Sequence, residues 1–255
     1  MPTRPLAALA ALALLACQPH KSGRIPADAT LLYEVDFSAP DNTVGKLPAV
    51  VPLGDEQKFP SRIPSQVFLG SPTVVAKLCG LEQQPLQLTA AHGVQGIEGV
   101  EFLIDKGRKH HHVELDLCIA ALGAPPVPAQ KMQLAVFLDI AEAYAVAFLA
   151  SGEIGVVDPN LAPETAVDPR LVDAHWEPNK PMHLAVDFDS DTQRWQVALD
   201  GKQIYDGELR MSVPRAVRVV IRGNPTNQAA LDNVLIWAAK PIDVDVPAPR
   251  AGEEK

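Results

Sequence analysis

Aromatic side chains are scarce in this chain, 5% of 255 residues, so a ring platform of the kind that stacks on sugars would have to come from very few positions. Cysteine is scarcer still, at three, which excludes a disulfide-dense scaffold. The apolar run Leu6–Ala16 falls well short of the roughly 20 residues a membrane-spanning helix needs. No Gly-x-Ser-x-Gly elbow, phosphate-cradling glycine loop or dinucleotide fingerprint occurs, so nucleophilic-hydrolase and nucleotide readings lack their motifs. The spaced glycines of "GVQGIEG" have no helical pattern behind them and read as a turn. Basic clusters are missing too. With 22 Lys and Arg against 31 Asp and Glu, the net charge is −9, and nucleic acid is not an expected partner. No internal repeat is found.

What is present begins at the N-terminus. Arg4 precedes the short apolar run, which has the length of a signal-peptide core. It closes in Leu14-Leu15-Ala16-Cys17, which resembles the lipobox of bacterial lipoproteins. The resemblance implies cleavage after residue 16 and acylation of Cys17, a membrane anchor made of several acyl chains. Gln18 in place of an aspartate implies, by the same resemblance, the outer membrane of a two-membrane envelope. Removing residues 1–16 takes away Arg4 alone and moves the charge to −10. The expected organisation is a signal peptide (1–16), the lipidated cysteine and a tether (17–29), one β domain (30–240) and a Pro-rich charged tail (241–255). Cys79 and Cys118 remain in an oxidising compartment, both on polar-side positions of their strands, and a disulfide between them is compatible with that placement.

The domain reads as strand after strand. Candidate segments are 31–37, where Leu31, Tyr33, Val35 and Phe37 alternate against Glu34 and Asp36, then 72–79, 85–90, 99–104, 112–120, 132–140, 144–150, 153–157, 182–188, 194–200, 215–222 and 229–238. Most are bounded by Gly, Pro, Asp or Asn, which predicts an all-β, antiparallel two-sheet sandwich. Only "DIAEAYAVAFLA" could pass for a helix. It is read as two strands turning near Ala141–Glu142. "LASGEIG" and "LDGKQIY" supply hairpin-type turns.

The block "HLAVDFDSDTQRWQVALDGKQIYDGEL", followed by "RAVRVVIRG" and "LDNVLIWA", resembles the closing strands of the concanavalin A-like lectin/glucanase superfamily, which includes laminin G-type jelly rolls. The resemblance is best over 180–238. It implies two curved sheets with a concave ligand face, and no particular ligand.

The densest stretch is "KHHHVELDLC", 109–118. Alternation sends Val113, Leu115, Leu117 and Ile119 inward and His112, Glu114, Asp116 and Cys118 outward. Glucanases of the superfamily carry Glu-x-Asp-x-(x)-Glu on such a strand. Glu114 and Asp116 fit its first half, but the acid/base position falls on Cys118 or Ile119, so catalysis is not expected. His110, His112 and Glu114 could share a zinc-like ion with a third nitrogen such as His183, and the same residues equally suit a solvated strand. Asp187, Asp189 and Asp191 stand at alternate positions but do not complete a calcium loop. Thr192 and Ala198 occupy the places of a Gly and a Glu, so the segment reads as a hairpin turn. No cofactor is therefore indicated; zinc and calcium are the metals these residues could hold.

Other ligand-binding candidates are Trp176, in the loop-like "DAHWEPNKP", and Arg218 on a polar strand face. A hydrophobic plug and a surface ion pair are their plain alternatives. Trp195 and Trp237 alternate with aliphatic residues and read as core. The expectation is a lipid-anchored envelope protein with a non-catalytic binding face around His112, Glu114 and Asp116. Its partner would be a polysaccharide or other envelope component; the alternatives are a divergent glycoside hydrolase or lyase of the glucanase-like fold and a structural envelope scaffold.

Overall fold

The computed structural model describes residues 25–38, 40–53, 55–92, 96–104, 108–123, 132–138, 144–158, 169–209 and 215–241. The signal peptide, Cys17, the turn at 141–142 and the tail beyond 241 lie outside the described residues. Fifteen strands form among them. In chain order they are β1 (Thr30–Val35), β2 (Gln66–Val67), β3 (Thr73–Val74), β4 (Leu86–Thr89), β5 (Ile97–Leu103) and β6 (Arg108–Ala121). Then come β7 (Leu134–Phe137), β8 (Ala145–Phe148), β9 (Glu153–Val157), β10 (Arg170–His175), β11 (Pro181–Asp189), β12 (Arg194–Leu199), β13 (Lys202–Glu208), β14 (Ala216–Arg222) and β15 (Gln228–Pro241). The protein is an all-β sandwich of two antiparallel sheets. One runs β13-β12-β11-β6-β15-β4-β3, with β1 also paired to β15; the other runs β10-β9-β8-β7-β14-β5-β2.

Alternation decides which residues enter the space between the sheets. From the eight-stranded sheet, Val113, Leu115, Leu117 and Ile119 of β6 meet Leu184, Val186 and Phe188 of β11 and Trp195 and Val197 of β12. From the seven-stranded sheet, Val217, Val219 and Ile221 of β14 join Leu134, Val136, Val146 and Phe148. Burying one such side chain contributes roughly 1.5–3 kcal/mol, so this cluster dominates stability. The outer face of the seven-stranded sheet is apolar as well, with Ala135, Phe137, Ala145, Ala147 and Val220 buried there. It also carries the ion pair of Arg218 and Glu101, while the row of His112, Glu114 and Asp116 lies on the outer face of the eight-stranded sheet, beside the apolar cluster of Leu235, Trp237 and Ala239.

Three local readings need correction. Leu31 does not share a face with Tyr33: a register shift between them turns Leu31 outward while Leu32 and Tyr33 both enter the core. Trp237 is not core either. It lies on the outer face of β15 with Leu235 and Ala239, packed against Ile25, Ala29 and Leu31. The end of the expected tether is therefore a strap on the sheet. Third, β10 and β13 were absent from the candidate strands. Each is the terminal strand of its sheet, and their exposed, charged sequences carry the weak alternation typical of edges.

The turns follow their residue chemistry. Asp200 and Gly201 both have positive φ, 49° and 78°, the conformation of a tight primed turn between β12 and β13. Cys79 and Cys118 form a disulfide with Cα atoms 6.0 Å apart, fastening the segment around Leu78–Leu81 over the outer face of β6.

Candidate functional site

β6 and β11 run side by side with His112 opposite Asp187, Glu114 opposite Ala185 and Asp116 opposite His183. On its other side β6 pairs with β15, placing His112 opposite Trp237 and Asp116 opposite Asp232. Two outward rows thus merge into a ladder of alternating imidazoles and carboxylates. His110 Nε2 lies 3.2 Å from Asp187 Oδ1. His112 Nδ1–H donates to the same oxygen at 2.7 Å, and its Nε2–H donates to Glu114 Oε1 at 2.8 Å. His183 Nε2 stands 3.7 Å from Glu114 Oε2, and its Nδ1 is 2.8 Å from Asp116 Oδ1. Asn233 ends the row, its Nδ2–H donating to Asp116 Oδ2 at 2.8 Å.

The electrostatics follow from this geometry. Burial alone would lower the basicity of His112, but the hydrogen bonds to Asp187 and Glu114 outweigh it and carry the pKa up to about 9. The hydrogen bond to Asp116 raises His183 as well, against its partial burial. Burial opposes ionisation of Asp187, yet the bonds from His110 and His112 hold it well below the usual carboxylate range. Asp232 behaves in the opposite way. It is 1% exposed, and loss of water, reinforced by Asp116, pushes it up to about 7. His112 is thus an imidazolium at neutral pH. It stacks on Trp237 with ring centroids 4.8 Å apart and 18° between planes, a favourable arrangement for a cation on an indole face. His110 meets the same indole edge-on at 5.2 Å.

The ladder opens at one end into a cleft of about 630 Å³ lined by His110, Asp187, Asp189, Thr192, Arg194, Gln196 and Asp206. Every lining side chain is polar. Arg194 Nε donates to Asp206 Oδ1 at 3.0 Å, and Gln196 Nε2 donates to Asp206 Oδ2 at 3.2 Å. The floor is therefore a sheet surface of planar carboxylate, amide and guanidinium groups.

His112, Glu114 and Asp116 are brought together as expected from the strand. Trp176 is not with them, and of its two readings the hydrophobic plug is the one found. It is 7% exposed, packed into the core, and its Nε1–H donates to Leu149 O at 2.8 Å, which makes it the plug under its loop. Arg218 is a second correction. It projects from the other sheet, where its Nε donates to Glu101 and its guanidinium covers Phe68 at 4.3 Å. For zinc, the geometry spends both nitrogens of His112 on carboxylates. Among the described residues no group of His, Cys, Asp and Glu is arranged to hold a metal. Around 187–191, Asp189 Oδ1 accepts the Asp191 backbone N–H at 2.9 Å, which is the hairpin turn between β11 and β12.

Sequence reasoning missed Asp206 and the paired group of Arg194 and Gln196, and it put Trp237 inside. Alternation along β11 already aligned His183, Asp187 and Asp189 on one face. That this face adjoins β6, in this register, had no sequence signal.

No protein-family model and no curated protein matches the chain. Among solved structures it is similar to domain 4 of an extracellular arabinanase from Geobacillus stearothermophilus, determined in complex with arabinotriose. That match has 12% identity and a TM-score of 0.48, covering 84% of this chain and 95% of that one. Lectin II from Ulex europaeus matches at 14% identity and a TM-score of 0.47, over 70% and 95% of the two chains. A sialidase matches at 14% and 0.45, over 66% of this chain, but this chain spans only 16% of the sialidase. It likewise spans 43% of the binding domain of botulinum neurotoxin DC. With every score below 0.5, these likenesses bear on no residue of the site.

Proposed function

We propose that this chain is a lipid-anchored, non-catalytic binding domain of a cell envelope, held to the outer membrane through Cys17, with a glycan as the ligand its site chemistry favours. The observation that carries the binding reading is the cleft beside the ladder. Its volume lies within the roughly 300–1,000 Å³ range of small-ligand sites, and its all-polar lining suits a ligand rich in hydroxyl groups. Three carboxylates, Asp187, Asp189 and Asp206, face one guanidinium and one imidazole there. That balance favours neutral or amino sugars over acidic ones.

Neither Glu114 nor Asp232 suits the proton-carrying role in hydrolysis. A retaining mechanism needs one carboxyl group that carries a proton and reaches the substrate. Glu114 is 5% exposed and bonded to an imidazolium. Asp232 holds its proton to near neutral pH, but it is buried.

The test uses the chain from residue 18 onward on a panel of β-glucans, peptidoglycan and acidic glycans, each with and without EDTA. Retention without new reducing ends is expected. Gln196→Ala/Asp206→Ala should weaken it about tenfold or more, since each lost hydrogen bond contributes about 1 kcal/mol. Undiminished retention in that variant would move the site elsewhere, and cleavage would replace the binding reading with an enzymatic one. For the anchor, palmitate incorporation should be lost in Cys17→Ser. Labelling of that variant would overturn the lipidation reading.

A further inference from the structure

We infer that the loop between β1 and β2 docks on the phospholipid surface that carries the Cys17 anchor, and so turns the polar cleft away from the membrane. This inference rests on the lipidation reading above. Seven large apolar side chains are exposed among the described residues, and four of them fall in this one loop: Val44 at 45%, Leu47 at 55%, Leu53 at 105% and Phe59 at 36%.

The loop is fastened along one edge of the eight-stranded sheet. At its start, Gly45 N–H donates to Val74 O at 2.7 Å and Val74 N–H donates to Lys46 O at 2.9 Å. At its end, Ser61 N–H donates to Leu32 O at 2.8 Å and Glu34 N–H donates to Ser61 O at 3.0 Å. Phe59 meets the edge of Tyr33 at 5.6 Å. The apolar side chains are thus held beside β3 and β1.

The chain arrives at the same edge. Ile25 and Ala29 pack against the outer-face cluster of Leu235, Trp237 and Ala239 just before β1 begins. Cys17 lies eight residues before Ile25, so the anchor is at most about 28 Å from the strap even when the chain is fully extended. An anchored bilayer is therefore the apolar surface this edge meets most often. Its high local concentration lets a contact too weak to hold the free chain become occupied. Basic Lys46, Lys58 and Arg62 are more than offset by Asp36, Asp41, Asp55 and Glu56 in the same loop, so the contact is apolar in origin and not an attraction to anionic lipid. The cleft lies toward the other edge. Its lining begins at His110 on β6, two strand spacings or about 10 Å from β1, and ends at Asp206 on β13, five spacings or about 24 Å away.

The experiment supplies the anchor chemically, which separates this inference from native lipidation. Cys79 and Cys118 are joined in a disulfide, leaving Cys17 as the free thiol of the three cysteines. The chain beginning at Cys17 is coupled to phosphatidylcholine vesicles bearing a maleimide lipid, and co-flotation confirms coupling. Leu53→Trp and, at the far edge, Gln203→Trp are then compared for fluorescence quenching by brominated phosphatidylcholine. The three native indoles are 0–7% exposed and give a common background. Quenching of the indole introduced at 53 should exceed that at 203 by about twofold or more. It should persist in 0.5 M salt, as an apolar contact requires. Equal quenching, or none at 53, overturns the inference. A dimer in solution that Leu53→Asp converts to monomer, without quenching on vesicles, would also overturn it by making a second copy the occupant.

Discussion

Replacing His112 with glutamine removes one positive charge from between Asp187 and Glu114 while keeping an amide that can still donate to one of them. The cost of that change should depend on pH. In the folded protein His112 is raised from 6.5 to about 9, because two carboxylate hydrogen bonds outweigh its burial. A raised histidine contributes stability that is fully present below the unfolded value of 6.5 and is lost as pH rises through about 9. With about 1.4 kcal/mol per pKa unit, the contribution at pH 6 is roughly 3 kcal/mol. The ring is mostly shielded, at 12% side-chain exposure, so little of this is lost to screening. The assay is urea unfolding of wild type and His112→Gln at intervals from pH 5.5 to 9.5. Subtracting one from the other cancels groups common to both. The difference should be roughly 3 kcal/mol larger at pH 6 than at pH 9.5. A difference that stays flat across the range, or an imidazole that titrates near 6.5 by NMR, would refute the reasoning.

Two more outcomes follow from buried groups elsewhere. Asp232, raised from 3.8 to about 7, contributes stability that is present below 3.8 and lost as pH rises through 7, up to about 4 kcal/mol. Asp232→Asn should therefore gain stability over wild type between pH 4 and pH 8, measured by thermal melts; equal pH dependence in the two proteins would contradict its raised proton affinity. Replacing Cys79 and Cys118 by serine opens a cross-link of 39 residues' separation and should lower unfolding free energy by roughly 3–4 kcal/mol. Dithiothreitol should reproduce that loss in wild type and leave the double variant unchanged.

Much of the sandwich was legible in the chain because strand alternation is a local property. The inward set Val113, Leu115, Leu117 and Ile119 and the outward set His112, Glu114 and Asp116 were readable within ten residues, and both stand in the structure. Edge strands were harder. β10 and β13 pair on one side only, so selection for burial imposes little pattern on them. Leu31 and Trp237 show a different limit. Each looked like core by alternation, but one lies beyond a register shift and the other faces a strap from a distant part of the chain. A two-residue period cannot say which face of a strand is covered by something else.

The candidate site divides along the same line. The sequence by itself determined the residue types on the outer face of β6, the hairpin that follows Asp189 and the lipobox-like start. Only the tertiary structure decided that Asp187 would sit against His112, that Asp116 would meet His183, and that Arg194, Gln196 and Asp206 would extend the ladder into a cleft. It also separated Trp176 and Arg218 from that face. The physical reason is that a side chain's direction depends on its nearest neighbours in the chain, whereas its partners depend on strand order and register. Those are fixed by the whole core at once.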